Sequence, residues 1–304
     1  MLRFRGVSKA YRNSERPALI DVSFDVGPGE IVGLVGLNGA GKTTLIRSAI
    51  GLLIPTSGTV EVDGHDIVHD KAAASRGIGW VPEIPVFPPR DSLLSILEYL
   101  AGYYGGTAGT LEEWAGLLRW VGLQEQATHR FSTLSQGMKK RFAIAAAMLG
   151  NPPNLLLDEV LNGLDPEWIR FTRELILEWR RQGRSVLLSS HLLGELEGVA
   201  DRFAFIHQGR LYGVWPKESI SASLPPRYLL RIANPDDRVA ALLGAMGDLQ
   251  LSAPWYILER PRAPPEAVTA EMTRAGYVLQ EFRVEEAHLE EFFFGLLRSA
   301  GMST

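Results

Sequence analysis

The sequence predicts an α/β domain followed by a smaller α+β unit. Three observations carry that prediction. Apolar runs at 30–35 (EIVGLV), 154–160 (NLLLDEV) and 187–191 (LLSSH) have the length and composition of strands buried on both faces. A glycine-rich loop and then a helical stretch follow the first run. Beyond a Pro- and Ser-containing segment at 216–226, short strands and helices alternate to the end.

Bulk properties set outer limits. The 304 residues, 46% of them hydrophobic, suffice for one large or two modest cored domains. A net charge of −4 does not suit a non-specific nucleic-acid binder, and no nucleic-acid partner is expected. The absence of cysteine excludes disulfides and thiolate metal sites and fits a reducing compartment. The N-terminus lacks the apolar core of a signal peptide. No run of about 18 apolar residues occurs. The chain is therefore not expected to span a bilayer, and a membrane role would come from docking to a separate protein.

The loop after the first strand reads GLNGAGKTT, residues 36–44. Gly36, Gly41, Lys42 and Thr43 match G-x-x-x-x-G-K-[ST] in the strand–loop–helix setting that pattern needs. Glycines let successive N–H groups of Gly36, Leu37, Asn38, Gly39, Ala40, Gly41 and Thr44 curl around an anion, and the helix N-terminus adds its positive end. Lys42 is expected to reach the β- and γ-phosphates of a nucleoside triphosphate, and Thr43 to hold Mg²⁺.

The strand NLLLDEV delivers Asp158 and Glu159 at its C-terminal end, where ligands of parallel sheets bind. Asp158 is expected to bind Mg²⁺ through water, and Glu159 to act as general base on the attacking water. Solvated acids at a strand end are the competing reading, which the phosphate loop 116 residues earlier weakens.

The stretch LSQGMKKRFAIAAAMLG, 134–150, begins with Ser135 as a helix cap and continues as a helix of small residues. Here the chain resembles the ATP-binding cassette (ABC) family, whose signature is LSGGQ or a near variant. Gln136 and Met138 depart from it, while Ser135 and Gly137 remain. Four further stretches fit the resemblance in order: VSKAY with Tyr11, VPEIPVF with Glu83, NGLDP with Asp165, and LLSSH with His191. The resemblance covers residues 1–213. It implies a P-loop NTPase of RecA-like core, antiparallel β subdomain and helical subdomain at about 85–150.

The resemblance also implies roles. Tyr11 would stack on adenine, and Glu83, where the family usually has glutamine, would reach Mg²⁺ through water. Ser135, Gln136 and Gly137 would cap the γ-phosphate of a second chain's ATP, with Asp165 in the loop between the sites and His191 contacting the γ-phosphate. Lys42, Glu159 and His191 form the expected catalytic group. The implied assembly is a head-to-tail dimer with a second copy or a paralogue, driving a separate transmembrane permease from the cytoplasmic face of the membrane. Ile84, Val86, Phe87 and Tyr99 are candidates for the groove that receives the permease, with core packing as the competing reading. Val160 and Leu161 replace the family's usual Pro-Thr after the glutamate.

The last part, from 227, reads βαβαβα: RYLLRIA, PDDRVAALLGAMG, WYILER, PPEAVTAEMTRAG, YVLQEFRV and a final helix. Residues 214–226 read as a linker. HLEEFF, 288–293, resembles the ending of cassettes that serve ABC-2-type exporters. Two alternatives stand beside an exporter ATPase: a soluble cassette acting in translation or DNA maintenance, and a catalytically weak regulatory cassette.

Overall fold

Burial in the computed structural model follows the apolar runs. Residues 1–304 are described except 13, 15, 105–108, 224, 225, 234, 286–288 and 300–304. The chain divides into two units, Met1–Pro216 and Lys217–Thr304. In chain order the first holds β1 (Leu2–Lys9), β2 (Leu19–Val26), β3 (Ile31–Val35), α1 (Lys42–Ala49), β4 (Ser57–Val62), β5 (His65–Asp66) and α2 (Lys71–Arg76). Then come β6 (Ile78–Val81), α3 (Leu93–Ala101), α4 (Leu111–Trp120), α5 (Gln136–Ala147) and β7 (Asn154–Asp158). The unit ends with α6 (Pro166–Arg181), β8 (Ser185–Ser190), α7 (Leu193–Glu197), β9 (Arg202–His207) and β10 (Arg210–Pro216).

Its strands form one sheet in the order β5-β4-β1-β2-β10-β9-β3-β8-β7-β6. The block β9-β3-β8-β7-β6 is parallel throughout. Every residue of β3, β7 and β8 is buried, as parallel strands covered on both faces require. The block β5-β4-β1-β2 is antiparallel. Its inward residues Leu2, Phe4, Val22 and Phe24 share a core with Leu45 and Ile46 of α1. The expected RecA-like core and β subdomain are thus present. Helices α3, α4 and α5 occupy the span expected to be helical.

Helix ends carry local signals. Thr110 and Glu113 form a reciprocal capping box on α4. Ser135 caps α5 through Met138 N–H at 3.2 Å. Asp165, followed by Pro166, caps α6. Phe87 corrects an expectation: its ring meets those of Phe131 and Phe142 edge-on, at 5.2 and 5.0 Å, so it packs inward rather than lining a groove.

The expected linker at 214–226 is largely regular structure. Val214 and Trp215 pair with Ala204 and Phe203 as the end of β10. Residues Lys217–Ser223 form α8, in which Ile220 is buried. An apolar anchor within a Ser-rich helix was the signal missed.

The second unit continues with β11 (Arg227–Ile232), α9 (Asp237–Met246), β12 (Asp248–Ser252), β13 (Trp255–Glu259), α10 (Pro265–Arg274), β14 (Leu279–Glu285) and α11 (Leu289–Ser299). Its sheet, in the order β12-β13-β11-β14, is antiparallel throughout. After α8 the sequence of elements is therefore βαββαβα, with β12 an addition to the expected βαβαβα. That strand is at the edge and four of its five residues are exposed, so no apolar alternation marks it. Tyr228, Leu230, Leu243, Val268 and Met272 form this unit's own core. Of the three consecutive phenylalanines in α11, Phe293 is buried and Phe292 and Phe294 are half-buried. His288 of HLEEFF lies outside the described residues.

Asp236 caps α9 and accepts hydrogen bonds from Arg238 and, at 2.5 Å, from the Tyr277 hydroxyl. The Tyr277 bond first, then Arg238, pull the Asp236 carboxyl down to about 2. A depressed acid stabilises the fold above its unfolded-state value and loses that contribution as pH falls through the folded value. Tyr277→Phe should raise the Asp236 pKa and shift this acid-side loss to higher pH, read by NMR titration of the carboxyl carbon.

Candidate nucleotide site

Strand β3 delivers the glycine loop at its C-terminal end, and the loop's shape depends on two glycines. A Cβ at Gly36 would stand 2.3 Å from the Ile206 carbonyl oxygen and 2.9 Å from Ala40 Cβ. Gly41 has φ +113°, and a Cβ there would lie 2.7 Å from the Ala18 carbonyl oxygen. Gly41 also caps α1 without a side chain, so the first-turn N–H groups of that helix suit an anion.

Residues 38–44 line a cavity of about 390 Å³ together with Ala18, Glu83, Glu159 and His191. Lys42 is buried beside it. Its ammonium donates to the Gly36 carbonyl at 2.7 Å and lies 3.3 Å from Glu159 Oε1. The other carboxylate oxygen, Oε2, meets His191 Nδ1 at 2.8 Å and accepts from Asn162 Nδ2 at 2.9 Å. With Glu159 ionised, Nδ1 carries the imidazole hydrogen of that bond.

The backbone of Glu159 is held as firmly as its side chain. Its φ of +48° is in the left-handed region, which a residue with a Cβ seldom adopts. Its N–H donates to the Ser189 carbonyl and hydroxyl at 3.2 and 3.1 Å. Its carbonyl accepts from Lys140 at 2.7 Å. The Ser189 hydroxyl in turn donates to Asp158 Oδ1 at 2.7 Å, linking the two acids through β8. Val160 and Leu161, which follow, are buried in the core.

A second cavity, of about 450 Å³, is lined by Thr43, Glu83 and Asp158 along with Trp80, Ile84 and Val86. The three residues expected at a metal thus face one space, and Thr43 and Glu83 border both cavities. Among the described residues no three His, Asp or Glu side chains close on a metal by themselves. One hydroxyl and two carboxylates are the hard, incomplete donor set that fits Mg²⁺, which keeps waters and takes phosphate oxygens as further ligands.

Other expected site residues lie elsewhere. Gly36 and Leu37 do not line the phosphate cavity and instead offer their carbonyls to Lys42. Tyr11 is exposed, with the Lys9 ammonium 5.7 Å from its ring centre. Ser135 and Gln136 are exposed at the start of α5, and Gly137 follows half-buried; none of them borders the cavity. Asp165 is engaged as a helix cap, its Oδ1 accepting from Trp168 N–H at 3.0 Å. Sequence reasoning missed Lys140, Asn162, Ser189 and Ala18. Lys140 had a signal: it shares a helix face with buried Ile144 and Ala147, where an ammonium requires a partner.

A glycine loop, a carboxylate pair on the next strand but one, and a switch-like histidine on the strand between define a nucleotide-binding cassette, and the comparisons agree. The family model described as "ABC transporter" matches residues 19–162. The chain belongs to the ABC transporter family as an ATP-binding protein. The linearmycin resistance ATP-binding protein of Bacillus subtilis (strain 168) is 30% identical, over 97% of this chain and 98% of its own length. The rat ATP-binding cassette sub-family A member 7 is also 30% identical over 99% of this chain, which spans just 14% of that protein. The dimeric structure of a bacterial ABC transporter cassette superposes with a TM-score of 0.65 at 25% identity, covering 71% of this chain and 99% of that one.

Proposed function

We propose that this chain is the ATP-hydrolysing subunit of an ABC-2-type exporter, working as a head-to-tail dimer that drives a separate transmembrane subunit from the cytoplasmic face of the membrane. The observation that carries the chemistry is the buried cluster of Lys42, Glu159 and His191 on one cavity with the glycine loop.

The N–H groups of the loop and the start of α1 bind the phosphates, and Lys42 exchanges its Glu159 contact for phosphate oxygens. Glu159 accepts a proton from water as that water's oxygen attacks the γ-phosphorus. The bond from the γ-phosphorus to the bridging oxygen breaks, leaving ADP and phosphate. His191 orients Glu159 and stabilises charge on the transferred group. Thr43, Asp158 and Glu83 would hold Mg²⁺, which would supply charge neutralisation during phosphoryl transfer.

Ser135 and Gln136 are exposed at the start of α5, with Gly137 half-buried beside them, which leaves this end of the helix open to a second copy's site. The dimeric relative supports that arrangement. Among the described residues no helix is long and apolar enough to cross a membrane. Ile84 and Val86, 69% and 81% exposed beside the second cavity, are suited to a short apolar helix of that partner. Tyr99, the other groove candidate, is exposed and hydrogen-bonded to Tyr103 at 2.7 Å. Outward transport is supported by the resistance function in the name of the Bacillus subtilis relative.

The test is phosphate release from ATP by the purified chain, alone and with its membrane subunit. Release is expected, and chelation of Mg²⁺ should lower it by at least about 100-fold. No release under either condition overturns the reading.

A further inference from the structure

Lys140 lies on α5, three residues after Gly137 and therefore on the same side of the helix. It is 7% exposed. Its ammonium donates to the Glu159 carbonyl at 2.7 Å and to the Asn162 carbonyl. Those two carbonyls bracket the turn from the general base to the residue whose amide touches that base's carboxylate, and Asn162 N–H closes the turn on Glu159 O at 3.2 Å. Burial pushes the Lys140 ammonium down from the usual lysine range, while Glu83, Glu159, Glu195 and Asp158 push it back up. The neighbouring Arg141 places its guanidinium 4.2 Å from the Trp168 ring centre, tying α5 to α6 just beyond the same turn.

The catalytic turn is thus strapped to the helix whose first residues face the other nucleotide in the dimer. A shift of α5 when Ser135 and Gly137 engage that nucleotide moves the Lys140 ammonium, and the ammonium holds the left-handed backbone at Glu159.

We propose that Lys140 is a positioning residue: it joins the signature helix to the turn carrying Glu159, so that engagement of one ATP site sets the geometry of the general base in the other. This rests on the dimeric ATPase reading above.

The experiment measures steady-state ATP hydrolysis by the full chain with its membrane subunit for the wild type, Lys140→Met and Lys140→Arg. Lys140→Met keeps the length and loses the donors. Its kcat should fall roughly 10- to 100-fold, the effect of losing a buried charged hydrogen bond. KM for ATP should stay within about 2-fold, and the Hill coefficient should drop toward 1. Lys140→Arg should recover kcat to within about 5-fold of wild type together with the Hill coefficient. An unchanged kcat in Lys140→Met overturns the proposal, and so does a reduced kcat with wild-type cooperativity, which would make Lys140 a local strut. Should Lys140→Met not fold, Lys140→Gln, whose donor is too short to span both carbonyls, is held to the same two criteria. A wild-type chain without hydrolysis would instead defeat the functional reading itself.

Discussion

Glu159→Gln is expected to lose about two to four orders of magnitude of ATP turnover while still binding ATP. The substitution is isosteric, and the carboxylate it replaces is 5% exposed, so shape and packing are kept. The backbone bonds that hold φ at +48°, from Lys140 to the carbonyl and from the N–H to Ser189, do not involve the side chain. Glutamine can still accept from Asn162, but it cannot take a proton from water. Binding should survive because the glycine loop and Lys42 are untouched. With the γ-phosphate never removed, the anion that the proposed dimer would share stays in place, and an ATP-dependent dimer should accumulate. Phosphate release, equilibrium titration with a fluorescent ATP analogue and light scattering read the three outcomes. Full turnover would remove Glu159 as the base. Loss of ATP binding would show that its charge organises the loop instead.

Most of the first unit was legible because its signals are local or periodic. The strands β3, β7 and β8 are apolar end to end, and the glycine loop needs positive φ and close approach that glycine alone provides. The location of Asp158 and Glu159 beside the glycine loop followed from their place at a strand end. What was not legible depends on partners distant in sequence. Phe87 looked like a groove residue because its prolines promise extension, yet Phe131 and Phe142, more than forty residues on, pull it inward. Lys140 shares a helix face with buried residues, but its carbonyl partners lie 19 and 22 positions later, where no local pattern points to them. In the second unit β12 was missed because an exposed edge strand needs no apolar face, and α8 because one buried isoleucine is too little pattern to read.

Lys42→Met is expected to weaken ATP binding by about two to three orders of magnitude, the scale for truncating one member of a buried, hydrogen-bonded charge pair. The ammonium has two tasks in this structure. It bridges the Gly36 and Leu37 carbonyls, at 2.7 and 3.4 Å, and so fixes the mouth of the loop. It also lies against Glu159 Oε1 at 3.3 Å, as the permanent cation paired with that buried carboxylate. Methionine fills the same volume, so the loop should not collapse from a cavity, but it leaves Glu159 facing His191 with no permanent cation beside it. The variant should therefore melt at a lower temperature than the wild type, because a buried carboxylate loses its ammonium partner. Calorimetric titration with ATP and thermal melts separate the two tasks. Weak binding with a wild-type melting profile would assign Lys42 to the phosphates alone. A lowered melting temperature with intact binding would assign it to holding Glu159, and would place the phosphate contacts on the loop N–H groups and the start of α1.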